Sequence, residues 1–343
     1  MIPTGETTTI PDVRIPVIPL SSYNLSDDLN NLIAHVETVL GTGITLRRQD
    51  NVPEEGVLID DYTFGSGKNM IIFSSSELGL LKDYSIAKNC LVLLYKGVAA
   101  QKGTYQVLSF DRTTAVTGMK QIYLDILKDE ATRGLEMAEK KKVMCSLYHL
   151  FRNTVSDIPW SILANINISK KFPVMRNSQV YLLVKESMKE MHRLETENEC
   201  LPQRYYVMNN GMYYARDILL AYSMAEYRLN PVINIPELQK FRALDIKELM
   251  DSRWSRSHWY HTKVVGDAMA NILKLSLTTD FSGPSGAAFY EEISESGRNV
   301  INRWLVMMAM QDWYCWAAPE HFRDAMANQS DIEKFAIDEI FSS

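Results

Sequence analysis

Residues 57–74 read VLIDDYTFGSGKNMIIFS, and the fold class turns on them. Val57–Phe64 and Met70–Ser74 are short apolar runs with strand character, separated by Gly65-Ser66-Gly67-Lys68. Glycine tolerates the positive φ angles of a tight reversal, so the stretch predicts a β-hairpin. The same Gly-Ser-Gly-Lys invites a phosphate-loop reading. That loop needs Gly five positions before the Gly-Lys pair and Ser or Thr after it. Tyr62 and Asn69 stand at those places. A phosphate loop also opens a helix, whereas this segment joins two strands.

Upstream, Ser26 followed by Asp27 and Asp28 makes a helix start, with acids at the positive end of the dipole. Leu29, Leu32, Ile33, Val36, Val39 and Leu40 follow at helical spacing, and Gly41 and Gly43 stop the run. Ile44–Arg48 reads as a strand. Downstream, residues 85–96 (SIAKNCLVLLYK) fit a buried helix or a buried strand, and the spacing of Ala87, Cys90, Leu91 and Leu94 favours the helix. Tyr105–Phe110 reads as a last strand.

Beyond residue 113 the pattern changes. Met119–Leu127, Met144–Phe151, Val180–His192, Tyr213–Tyr227 and Val300–Trp316 carry apolar residues three and four apart. Breaks are expected at Pro159, Pro173, Pro202, Pro231, Pro236 and Pro319, with a loop at Gly283–Gly286. Asn209-Asn210-Gly211 reads as a turn. Residues 1–20 carry four prolines (Pro3, Pro11, Pro16 and Pro19) and read as an extended arm. The predicted class is α+β. Residues 21–115 form a small unit with a short antiparallel sheet, and residues 116–343 form a larger all-helical domain.

Composition narrows the function classes. The chain has 343 residues, 46% apolar and 23% charged, which excludes a largely disordered or collagen-like chain. A net charge of −6 is not that of a dedicated nucleic-acid binder. Cys90, Cys145, Cys200 and Cys315 show no paired spacing, so neither a zinc site nor a disulfide framework is implied. No apolar run reaches the length of a membrane helix, and the first twenty residues lack the unbroken apolar core of a secretory signal. The expected setting is cytoplasmic, with no membrane contact and no cofactor. In that setting the sequons at Asn24, Asn167 and Asn328 carry no sugar.

Common catalytic signatures are missing: there is no HExxH, no GxSxG and no GxGxxG. Glu291, Glu292 and Glu295 form an EExxE in which Glu291 and Glu295 share a helix face. Without matching ExxH partners this reads as a solvated face. Arg204-Tyr205-Tyr206 and Tyr213–Asp217 read as core tyrosines beside charged neighbours. Met307, Met308 and Met310 with Trp304, Trp313 and Trp316 read as a buried central helix.

The densest cluster of chemistry is Arg253-Trp254-Ser255-Arg256-Ser257-His258-Trp259-Tyr260-His261-Thr262-Lys263. A cationic, aromatic connection at a helix start suits an anion, because backbone N–H groups and the dipole point outward there. Arg253, Trp254, Arg256, Trp259, Tyr260 and Lys263 are the candidate binding residues. The same tryptophans would equally anchor an inter-helix loop into the core. The sequence therefore reads as a non-catalytic binding or regulatory protein with an anionic ligand or a protein partner. Single-stranded nucleic acid and a homo-oligomer stay open without being favoured. The alternative is a hydrolase with His258 or His261 as base and Arg253 or Lys263 as charge stabiliser. Asp267 or Glu248 would then orient the histidine.

Overall fold

The computed structural model describes residues 23–53, 55–75, 79–182, 185, 201–223, 260–276 and 287–342. Helix α1 (Asp27–Leu40) carries Asp27 and Asp28 in its first turn and buries Leu29, Leu32, Ile33, Val36 and Leu40. It ends at Gly41, whose φ of 65° is left-handed and whose N–H donates to the Glu37 carbonyl. The Glu37 side chain then accepts from the N–H of Ile44 at 2.8 Å, the first residue of strand β1 (Ile44–Gln49).

Strands β2 (Val57–Ile59) and β3 (Asn69–Ser74) pair antiparallel, with Val57 opposite Ile72 and Ile59 opposite Met70. The predicted pairing is present, but the first strand stops at Ile59 instead of Phe64. Asp60 is the cause. Its carboxylate caps a short helix α2 (Asp61–Phe64) by accepting the Thr63 N–H at 2.6 Å. The connection is therefore a capped helical turn followed by a loop, rather than a tight hairpin turn.

The three-stranded sheet has the order β1-β3-β2. β1 runs parallel to β3, from Ile44 opposite Asn69 to Gln49 opposite Ser74. The sheet is thus mixed, where a purely antiparallel one was expected. The α+β class holds, and the larger later part is helical.

Residues 85–96 are helical, within α3 (Leu80–Gln101). α3 is buried nearly all round because the sheet, α1 and later helices surround it. Strand β4 (Val107–Ser109) does not join the first sheet. It pairs antiparallel with β5 (Cys315–Ala317), Leu108 opposite Trp316.

Then come α4 (Arg112–Lys128), opened by a capping box on Asp111, the short α5 (Glu130–Arg133) and the long α6 (Met137–Lys171). Pro159 lies inside α6 and does not end it. Proline deprives only the Val155 carbonyl of its helical bond. Val155, Ile158, Ile162 and Leu163, buried around it, hold the helix together. A single 3-10 turn (Pro173–Met175) leads into helical residues 176–182, here α7.

α8 (Gln203–Ser223) starts after Pro202 and runs straight through Asn209-Asn210-Gly211, so the expected turn is absent. Both asparagines are buried. Packing of α8 against α6 and α9 (Tyr260–Ser276) overrides their turn preference.

α10 (Ala287–Met307) carries Trp304 at the centre of the core. The expected helix over Val300–Trp316 ends early, at Met307. Ala309 takes a left-handed φ of 56°, the Met310 N–H donates back to Leu305 and the Ala309 N–H to Val306. This is the closing pattern usually built on glycine. β5 follows, then α11 (Pro319–Ala327), with Pro319 in its first turn, and α12 (Gln329–Ser342) packed on α4. Among the described residues, no helix is long and apolar enough to cross a membrane.

Candidate functional site

Most of the predicted segment, including Arg253, Trp254, Arg256, His258 and Trp259, lies outside the described residues, as does Glu248. Tyr260 opens α9. His261 is exposed, Lys263 half-buried and Asp267 exposed. Asp267 accepts from the Tyr214 hydroxyl at 3.2 Å. His261 and Asp267 are six positions apart, which turns one from the other by about 240° around the helix. α9 therefore does not present them on one face.

The described residues build a different site, a cleft of 260 Å³. Thr104, Tyr105 and Gln106 line it from the connection between α3 and β4. Trp160 lines it from α6, and Glu291, Ser294, Glu295 and Arg298 from α10. The connecting segment is fixed, because the N–H groups of Thr104 and Tyr105 both donate to the Ala99 carbonyl at the end of α3. Trp160 is fixed by a close approach. A Cβ at Gly297 would lie 3.2 Å from the far edge of its indole, so the missing side chain lets the ring lie against α10.

The charges of the cleft are disposed unevenly. Glu291 is paired with Lys102. Arg298 donates to the Gln106 side chain at 3.1 Å, across the opening. Among the described residues, Glu295 has neither a hydrogen bond nor an ion pair. Tyr105 connects the cleft to a charged interior, its hydroxyl lying 2.6 Å from that of Thr63. Behind it, Lys96 meets the buried carboxylate of Asp60 at 3.1 Å. Burial works against the Lys96 charge, yet Tyr105, Asp60 and Asp157 outweigh it and raise the pKa. Burial also pushes Tyr105 up, with Lys96 pulling the other way.

Asp157 stands one turn before Trp160 on α6 and keeps contact with solvent. The protein around it still raises its pKa by desolvation, against the pull of Lys96, Lys88 and Arg152. Arg152 is buried between two rings, 5.1 Å from the centroid of Phe110 and 5.5 Å from that of Phe322. Burial lowers its pKa, with Tyr314, Tyr148 and Asp157 opposing.

A second group on α6 has the residue types of a thiol site. Cys145 and His149 are one turn apart, and His149 Nε2 lies 2.8 Å from Glu333. The thiol is set against reaction. Burial, then Glu333, push its pKa up to about 12, where a nucleophilic thiol needs it lowered. Cys90 and Cys315 are raised in the same direction by burial. Among the described residues, no group of three His, Cys, Asp or Glu side chains is placed to hold a metal.

The cleft escaped the sequence because its walls come from three distant segments. Its one visible trace was EExxE. Glu291 and Glu295 do share a face, and that face lines the cleft. Comparison with protein-family models, curated proteins and solved structures finds no match for this chain.

Proposed function

We propose that the protein is a non-catalytic binding protein that takes a small polar ligand in the cleft at Trp160. The carrying observation is the lining itself: two aromatic side chains, Tyr105 and Trp160, beside the unengaged carboxylate of Glu295 and the half-engaged guanidinium of Arg298. Six of the eight lining residues are polar or charged, which suits a polar ligand, and the two rings add apolar surface beside them. The raised thiols of Cys90, Cys145 and Cys315 favour binding over nucleophilic chemistry. The reading includes a cytoplasmic setting, in keeping with those three free thiols.

The test is a thermal-shift panel of amino acids, sugars, nucleobases, amines and carboxylates on the full chain, with Trp160→Ala beside it. A ligand at a hundred times its Kd should stabilise by about 2.7 kcal/mol. That shift should vanish in Trp160→Ala. A shift that survives the substitution, or no shift with any compound, overturns the proposal.

A further inference from the structure

Resting on the cleft as a ligand site, we infer that its ligand is a small zwitterion of the amino-acid type. Arg298 takes its carboxylate, Glu295 its ammonium, and the rings of Trp160 and Tyr105 its apolar side chain. The basis is a pair of side chains that does not form an ion pair. Glu and Arg three positions apart on a helix are neighbours and ordinarily attract. Glu295 and Arg298 have that spacing on α10, yet no ion pair joins them. Arg298 is drawn to Gln106 on the opposite wall, at 3.1 Å. Glu295 is left without a partner among the described residues. One opposite-signed pair on the rim is thus held apart. The third charge of the lining, Glu291, is already neutralised by Lys102.

The class of ligand follows from this balance. A simple anion at Arg298 would also meet Glu295, and a simple cation at Glu295 would also meet Arg298. Either leaves one charge opposed. A molecule carrying both signs a few bonds apart answers both groups. One helical turn separates them, roughly 4.5 Å along the axis for three residues. A guanidinium matches a carboxylate with two parallel N–H donors. Size agrees. The cleft of 260 Å³ is smaller than the roughly 300–1,000 Å³ of sites for drug-sized ligands, so it suits one small metabolite. The ring of Trp160, pinned against Gly297, supplies a preformed apolar wall beside the charged pair.

The experiment is calorimetric titration of the full chain with each standard amino acid. The best binder is then compared with its decarboxylated amine and its N-acetyl derivative. Glucose serves as a neutral polar control. Arg298→Gln, Glu295→Gln and Trp160→Ala are titrated in parallel, with circular dichroism confirming the fold. The expected result is binding by at least one amino acid, weakened roughly tenfold or more by removing either ligand charge. Arg298→Gln should erase the preference over the amine, and Glu295→Gln the preference over the N-acetyl form. Equal binding of the amine or the N-acetyl form, or unaltered affinity in both charge variants, overturns the inference. If glucose or another non-zwitterion binds in a Trp160-dependent way while no amino acid does, the zwitterion is wrong and the cleft stands. If nothing binds through Trp160, both fall.

Discussion

The Tyr314 hydroxyl donates to the backbone carbonyl of Tyr148 at 2.6 Å. The Tyr148 hydroxyl in turn donates to the carbonyl of Trp313 at 2.7 Å. Two buried tyrosines thereby join the middle of α6 to the segment just before β5. Tyr314→Phe keeps the ring and removes one bond. The Tyr148 carbonyl retains its helical partner, so the cost should be about 0.5–1.5 kcal/mol. Urea unfolding checks it: the midpoint should fall with an unchanged slope. An unchanged midpoint would show that the bond contributes nothing.

Ala309 closes α10 in the left-handed region, where a Cβ is strained. Ala309→Gly should relieve that strain and stabilise the protein by up to about 1 kcal/mol, although glycine costs more chain entropy on folding. A melting-temperature rise checks it. A fall would mean that the Cβ of Ala309 contributes packing that outweighs the backbone strain.

Asp157 has its folded-state pKa raised, by desolvation from the surrounding protein first, over the opposing pull of Lys96, Lys88 and Arg152. An acid raised in this way favours the folded state while protonated. That contribution is complete below the unfolded carboxylate pKa and is lost as pH rises through the folded one. Because the side chain is exposed and screened by water, the effect is small: Asp157→Asn should melt slightly higher than wild type at neutral pH, with the gap closing as pH falls below the ordinary carboxylate range. Melting curves at a series of pH values read this directly. A variant that melts lower at neutral pH would show that the carboxylate is held mainly by its three cations.

The sequence carried some elements plainly and others not at all, for physical reasons. α1 was legible because acids, an apolar stripe and a terminal glycine all agree on one helix. α3 was ambiguous because a helix buried nearly all round shows no polar face to give it a period. The stop at Met307 was hidden because alanine stands where glycine usually marks it. Asn209-Asn210-Gly211 misled because burial against α6 and α9 outweighs local turn chemistry. β5 is three residues long and is made a strand by its partner β4, which no local pattern reveals. The cleft was the least legible, since nothing in residues 104–106, 160 and 291–298 says that they meet.

The pairing of Val107 with Ala317 sets a condition on how the chain can be made. A ribosome delivers β4 well before β5, with the described helices α4 to α10 emerging in between. Throughout that interval the peptide groups of β4 lack their native partner strand. An open edge of this kind invites pairing with other chains. Brevity is a defence, and β4 spans only Val107–Ser109. The nascent protein thus waits on a distant segment, with a stretch too short to be a good template for anything else.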